Sequence, residues 1–341
     1  MKRPAWILAL PLALAASTPS DEVAFAPAAN STVGKELKVE LELQVDDVSF
    51  TVNGEDIPPE ALGPIHDQKL LAHVLIGVTE KYVASKDGQP TDLLRTFDEL
   101  SMKAEIGDET EDGSEQAAEF EGRTVRFVWD ADKKEYTKSW HESDGDDEKL
   151  EGLLDDMDLR VLLPSKKVSE GDTWDVPAEG LAALFMPGGL VGGGDESADE
   201  EAFAALEDEL RGQIEEFVKD FKVHCTYGGT REDDGVRVAE IRFTFEGAPK
   251  LDLGSLVERI AQESGAPDAN IVGSLGADLK GEGTLLWNQG ASRAHTFDMS
   301  AQIGLSADLE AQAEEQGQSF RVVVGARASG KATWEMRAKK P

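Results

Sequence analysis

The feature that most narrows the choice of fold is an alternation of apolar and polar residues with a period of two. Leu37, Val39, Leu41, Leu43 and Val45 alternate with Lys38, Glu40, Glu42 and Gln44, which puts one face of a strand in a core and the other in water. After Asp46-Asp47 the parity changes to Val48, Phe50 and Val52, so a bulge or tight turn is predicted at the two aspartates. The pattern returns at Val125, Phe127 and Trp129, then across Asp130-Ala131-Asp132-Lys133 at Tyr136, Lys138 and Trp140, the signature of a hairpin. It returns again at Phe221 to Tyr227, Ile241 to Phe245, Leu285 to Trp287, His295 to Met299, Phe320 to Val324 and Trp334 to Met336. Strands of a parallel sheet covered on both faces would be nearly continuous apolar runs, so these predict antiparallel sheet. The class expected is α+β, dominated by β structure.

Few helices are predicted. Leu150, Leu153, Leu154 and Met157 have helical spacing. Pro177 suits the first position of a helix through Leu181, Leu184 and Phe185, ended by Pro187-Gly188-Gly189. Ser197-x-x-Glu200 opens a third, about 197–216, with Phe203, Leu206, Leu210 and Ile214 on one side and carboxylates on the other. A weaker fourth contains Leu253, Leu256, Val257 and Ile260.

Lys2 and Arg3 followed by an apolar run from Ala5 to Ala16 form an export signal, with Ala13-Leu14-Ala15 as its cleavage motif. A dozen apolar residues interrupted by Pro11 fall short of the roughly 20 that a spanning helix needs. The expected organisation is residues 1–16 as signal peptide, 17–34 as a flexible leader with order beginning near Lys35, and 35–187 as a first β-rich portion. Residues 188–196 form a glycine-rich acidic linker, and 197–341 a second β-rich portion opened by the acidic helix. The glycine run serves equally as a loop within one continuous sheet. The expected location is the periplasm or the exterior.

Charge excludes some partners. With 34 Lys plus Arg against 68 Asp plus Glu, the net charge is −34, which repels phosphate backbones and anionic lipid surfaces. No transmembrane segment is expected after signal removal. The lone Cys225 lies far from the signal, so neither a lipid anchor nor an intramolecular disulfide is expected.

Motifs for chemistry are sparse. Asp108-Glu109-Thr110-Glu111-Asp112-Gly113 followed by Glu119 has the spacing of a calcium loop, which makes Asp108, Thr110, Asp112 and Glu119 the candidate metal ligands. Its flanks read as strands rather than paired helices, so an acidic loop with at most weak calcium affinity is the plainer reading. No other cofactor is expected. Gly325 to Lys331 matches the glycine-and-lysine part of a phosphate loop, but Ala332 stands where a hydroxyl must ligate magnesium, so Ser329-Gly330 reads as a hairpin turn. The five histidines are scattered, and His224 and Cys225, adjacent in a strand, point to opposite faces. Cys225 therefore reads as a small buried residue, and no catalytic residue is assigned.

The stretch Leu162-Leu163-Pro164-Ser165-Lys166-Lys167-Val168-Ser169-Glu170-Gly171-Asp172-Thr173-Trp174 resembles a segment of uncharacterised exported bacterial β-sheet proteins, where it closes a first β-rich part. The resemblance extends to Arg95-Thr96-Phe97, Val238 to Ile241 and Gly281-x-Gly283. It implies curved antiparallel sheets similar to the half-barrels of periplasmic lipoprotein carriers, with a few covering helices, and it supplies no catalytic or ligand residues. In physical terms Pro164 ends the preceding strand, Gly171-Asp172 makes a turn, and Trp174 is a large anchor after it. The function expected is non-enzymatic: a binding or interaction protein of the bacterial envelope whose partner is a protein or a hydrophobic ligand. The alternatives are a carrier enclosing an apolar cavity lined by Phe127, Trp129, Phe243, Phe245 and Trp287, and an enzyme without a recognisable motif.

Overall fold

A computed structural model describes residues 20–58, 68–107, 109–112, 118–178, 180–189, 220–252, 254, 270–315 and 318–340. The predicted signal, the helix expected at 197–216, and all of the one expected at 253–260 except Gly254 lie outside the described residues. Among the described residues, fourteen strands form one large antiparallel sheet that is not closed. They are β1 (Ser31–Val52), β2 (Glu55–Asp56), β3 (Lys69–Lys86), β4 (Gln89–Ile106), β5 (Glu109–Asp112), β6 (Thr124–Asp130), β7 (Glu135–Trp140), β8 (Thr173–Asp175), β9 (Lys222–Asp233), β10 (Val236–Gly247), β11 (Lys250–Asp252), β12 (Asn270–Asn288), β13 (Arg293–Glu315) and β14 (Gln318–Lys339).

The spatial order is β7-β6-β4-β3-β1-β14-β13-β12-β10-β9-β8. The chain begins at the centre, works outward to the β7 edge, crosses to β8 at the opposite edge, and returns to pair β14 with β1. Strands from both sides of the glycine run thus share one sheet. Residues 141–172 are the crossing segment. Both edges meet it: Lys138 of β7 donates to the Glu151 carbonyl, and the Trp174 indole of β8 donates to the Leu162 carbonyl at 3.2 Å.

Register explains why the alternation works as a fold. Across neighbouring strands Tyr227, Ile241, Leu285, Phe297, Met336, Leu37, Ile76 and Leu100 stand in one row. The row beside it on the opposite face holds Thr226, Arg242, Thr284, Asp298, Glu335 and Lys38. A slip of one residue would exchange the faces, so burial of one of them fixes the pairing. The bulge predicted at Asp46-Asp47 is the register shift between Val45 and Asp47, and the predicted hairpin is β6–β7.

The buried core occupies one end of the long strands. Burial along β1 stops at Leu37, along β13 at Ala301, and along β14 it begins at Ala332. Over this end lie the crossing segment, residues 176–189, and a strap of residues 21–27. The strap corrects the flexible leader: Val23, Phe25 and Pro27 are buried in alternation, because their apolar side chains fill the gap between the sheet and the crossing segment. Residues 21–34, assigned to that leader, are thus placed on the fold ahead of Lys35. The other ends of β1, β13 and β14 continue well past the cover, since 22 residues of strand span roughly 70 Å.

Four local expectations need correction. Leu150 to Met157 is not a helix: only a 3-10 turn at Glu148–Leu150 forms, and Leu150, Leu153 and Met157 are buried from successive turns instead. Pro164 follows a 3-10 turn at Arg160–Leu162, not a strand. The helix expected from Pro177 through Phe185 is shorter, the four-residue α1 (Ala182–Phe185). Ser329-Gly330 is no hairpin turn, for β14 runs straight through it. A Cβ at Gly330 would sit 1.9 Å from the Glu42 carbonyl oxygen, so glycine is there to let β1 approach. Replacing Gly330→Val is expected to lower unfolding stability by about 1–3 kcal/mol, read as a lower urea midpoint with an unchanged m-value.

Candidate functional site

Charged residues interrupt the apolar face at three places where the alternation calls for hydrophobes. Lys35 follows Val33, Glu80 follows Val78, and Arg95 follows Leu93, each on the parity that faces the core. All three are buried, Lys35 at 2% exposure and Glu80 and Arg95 at 0%. Facing them from the crossing segment are Asp155, Asp156, Asp158 and Arg160.

Glu80 is the hub. One oxygen, Oε2, accepts from Lys35 at 2.6 Å, and Oε1 accepts from Arg95 Nε at 2.8 Å and Nη2 at 2.6 Å. Lys35 also reaches Asp158 at 2.9 Å and the Tyr82 hydroxyl oxygen at 2.9 Å, using all three of its protons. Tyr82 donates to Asp158 Oδ2 at 2.5 Å. The remaining guanidinium protons of Arg95 go to the carbonyls of Leu154 (2.7 Å), Asp155 (3.0 Å) and Gly188 (3.3 Å). Arg95 therefore spends one side of its fork on the sheet and the other on the cover.

Local chain geometry presents those carbonyls. Asp156 accepts the N–H groups of Asp158 and Arg160, both at 2.8 Å, which folds 156–160 back on itself with Leu159 left-handed at φ 57°. Arg160 closes the loop on Asp155 and Asp156 and lies 5.1 Å from the Phe25 ring centre. Gly189 has φ 85°, and a Cβ there would fall 2.2 Å from the Gly152 carbonyl oxygen. Only glycine lets 188–189 lie against 152–154, where Leu154 N–H donates to the Gly188 carbonyl at 2.9 Å.

Electrostatics follow from burial. Desolvation pushes the Glu80 carboxyl toward protonation, but Lys35 and Arg95 outweigh it and hold it well below the ordinary carboxylate range. Burial, then Asp158 and Glu80, push the Tyr82 hydroxyl far up, so it stays a donor. Removing one partner of a buried pair typically costs about 3–5 kcal/mol.

Beside the cluster, a cleft of about 900 Å³ opens between the crossing segment and the β8–α1 stretch. Its walls include Leu154, Val161, Leu163, Trp174 and Ala182, together with Asp155, Asp156, Arg160, Ser165 and Asp175. A smaller apolar opening of about 230 Å³ lies where the cover stops, between Phe185 and Met186 on one side and Val39, Val74, Met102 and Trp334 on the other.

Of the calcium-like motif, none of Thr110, Asp112 and Glu119 is among the partners of the cluster described above. Asp108 is outside the described residues. Thr110 and Asp112 sit in β5, paired by backbone with Glu105 and Lys103. The Glu119 carboxylate is engaged by Lys149 at 2.8 Å and Arg123 at 3.7 Å. Among the described residues no group of three His, Cys, Asp or Glu side chains is placed to hold a metal ion. Cys225 is buried, its thiol pushed up to about 12 by burial and then by Asp175. His224, on the other face, pairs with exposed Asp175 at 2.9 Å. The Gly171-Asp172 turn and the Trp174 anchor form as read from sequence, with Asp172 accepting from the Ser169 N–H at 2.8 Å. The buried cluster is what sequence reading missed.

No protein-family model matches the chain, and no curated protein matches it. Among solved structures, an outer membrane channel from Pseudomonas putida F1 aligns at 9% identity over 92% of this chain and 97% of that one, with a TM-score of 0.20. A loop-deletion mutant of OmpT, an outer membrane protein of Vibrio cholerae, aligns at 10% identity over 91% and 100%, with a TM-score of 0.11. Likenesses at those scores carry no argument. No helix among the described residues is long and apolar enough to cross a membrane.

A depressed folded pKa means that the stability Glu80 contributes is fully present above its unfolded value and is lost as pH falls through the folded one. The urea midpoint is thus expected to fall on acidification below about pH 4.5, and to fall less in Glu80→Gln. At pH 7 Glu80→Gln is expected to cost about 3 kcal/mol or more, measured by equilibrium unfolding.

Proposed function

We propose that the chain is an exported, non-catalytic binding protein of the bacterial envelope, with its ligand seated in the cleft between the crossing segment and β8. The cleft carries the reading. At about 900 Å³ it has the size of a small-molecule site, and its walls are mostly apolar, with the charged side chains of Asp155, Asp156, Arg160 and Asp175 among them. Export rests on the amino-terminal Lys2-Arg3 and the apolar run to Ala16.

A catalytic role for the buried cluster is disfavoured by its saturation. Every N–H of Lys35 and Arg95 has a partner, and Glu80 and Asp158 accept from several donors. Lys35 and Arg95 have no vacant donor to offer a reacting atom, and Lys35, Glu80, Arg95 and Tyr82 are closed off from solvent. The carrier reading, with a half-barrel enclosing its cargo, needs Phe127, Trp129, Phe243, Phe245 and Trp287 to line open space. Trp129 is half-buried and stands edge-on to Tyr136 at 5.0 Å, while the other four are at most 2% exposed and packed, Phe243 stacking on Phe297 at 5.9 Å and Trp287 touching Phe25. A ligand is better received by the cleft than by the sheet's aromatic core.

Native mass spectrometry and solvent extraction of protein purified from the cell that makes it test the reading. A bound small molecule near one per chain is expected, lost in Ala182→Trp with the melting temperature retained, on a chain whose first residue lies near position 16. Protein carrying no bound mass, a mass unaffected by filling the cleft, or a cytosolic chain with its first 16 residues intact would contradict it.

A further inference from the structure

The strap of residues 21–27 belongs to the fold in an unusual way: it lies outside the strand order of the sheet and is held as a bound peptide would be. Its described backbone bonds are few. Asp21 exchanges two with Val168, at 2.7 and 3.0 Å, and the Ala26 N–H reaches the Ser292 carbonyl at 3.3 Å. Recognition falls to alternate side chains instead, the mode by which an extended peptide is read.

Two of the anchors, Asp21 and Phe25, have defined receptors. The Asp21 carboxylate accepts from the Tyr227 hydroxyl at 2.8 Å and the Thr230 hydroxyl at 3.2 Å. Val23 is buried at 3% exposure. Phe25 sits edge-on to Tyr82, with centroids 5.6 Å apart, beneath the Arg160 guanidinium and beside Trp287. Pro27 is the last buried position. Beyond it the chain turns through Asn30, left-handed at φ 61°, whose N–H bonds to the Tyr82 carbonyl before β1 starts. The intervening residues face out: Ala24 and Ala26 are exposed, and Glu22 pairs with Lys167 at 3.4 Å, largely in solvent.

We propose that the groove formed by Val168, Tyr227, Thr230, Tyr82 and Trp287 is a docking site for an extended peptide carrying an acid, an aliphatic residue and an aromatic residue at alternate positions. The chain's own strap fills it in cis. The specificity lies in the two hydroxyls that hold the acid and in the ring pocket formed by Tyr82, Trp287 and Arg160. Vacating the groove uncovers the face of Arg160 that Phe25 occupies, so occupancy of the groove and closure of the buried cluster are linked. The proposal is independent of any ligand in the cleft.

The test uses the full chain carrying Asp21→Asn and Phe25→Ala, which weakens the strap without removing it, and a fluorescent peptide of residues 19–29 followed by anisotropy. Saturable one-to-one binding to the variant is expected, at least tenfold weaker to the wild-type chain whose groove is filled, and lost when the peptide carries the same two changes. A folded variant that binds no peptide, or binds the altered peptide equally well, overturns the proposal. If circular dichroism shows the double variant unfolded, Asp21→Asn alone keeps the apolar anchors, and the same titration decides with the same outcomes.

Discussion

The arrangement depends on one buried carboxylate held between two cations that belong to different strands. Glu80 on β3 binds Lys35 on β1 and Arg95 on β4, so three neighbouring strands are tied on the face that should be apolar. Left there, the group would be a costly flaw, for a buried charge network is no net gain over well-packed hydrophobes. What it supplies is placement. The protons of Arg95 that Glu80 does not use go to three carbonyls of the cover, and the remaining bonds of Lys35 go to Asp158 and Tyr82. A crossing segment with hardly any regular secondary structure thereby acquires a unique position on the sheet.

Topology makes such a fastening necessary. The chain leaves the centre of the sheet, ends its first traverse at β7, and must reach β8 at the far edge before returning. The connection carries its own buried leucines, but apolar contacts alone are non-directional and would tolerate sliding. Directional bonds from Arg95, from Lys35, and from the Ala294 N–H to Asp158 at 3.1 Å fix it against β4, β1 and β13 together. The strap then seals the cluster from outside by laying Phe25 between Tyr82 and Arg160.

Much of this was legible in the sequence. Period-two alternation located strands from Leu37 onward, the Asp46-Asp47 parity change located a bulge, and the Phe127–Tyr136 pattern located a hairpin. Strand length was less legible: β14 was read as two strands, because Gly330 looks like a turn when its real constraint is the nearness of Glu42. The helix read at Leu150 to Met157 failed because four leucines and methionines at helical spacing also serve a chain of tight turns buried under a sheet. The strap was hidden because Val23, Phe25 and Pro27 have too short a pattern to stand out from a leader. The cluster left a readable trace, a charge at each of Lys35, Glu80 and Arg95 where the alternation demands an apolar residue. Its partners Asp156 and Asp158 left none, being two among 68 acids in a segment with no periodicity. The cleft arises from tertiary packing of that same segment and could not be read from spacing.

If the buried charges fasten the cover to the sheet, the two must open together. Native-state hydrogen exchange under mild urea measures this directly at Asp158 and Arg160, whose N–H groups bond to Asp156, and at Ala294, whose N–H bonds to Asp158. A locked cover predicts that these amides exchange with the same opening free energy and the same urea dependence as the paired amides of β1 and β14. Exchange at Asp158 and Arg160 through a smaller, separate opening, with β1 and β14 still protected, would show that the segment rests on the sheet without being locked to it.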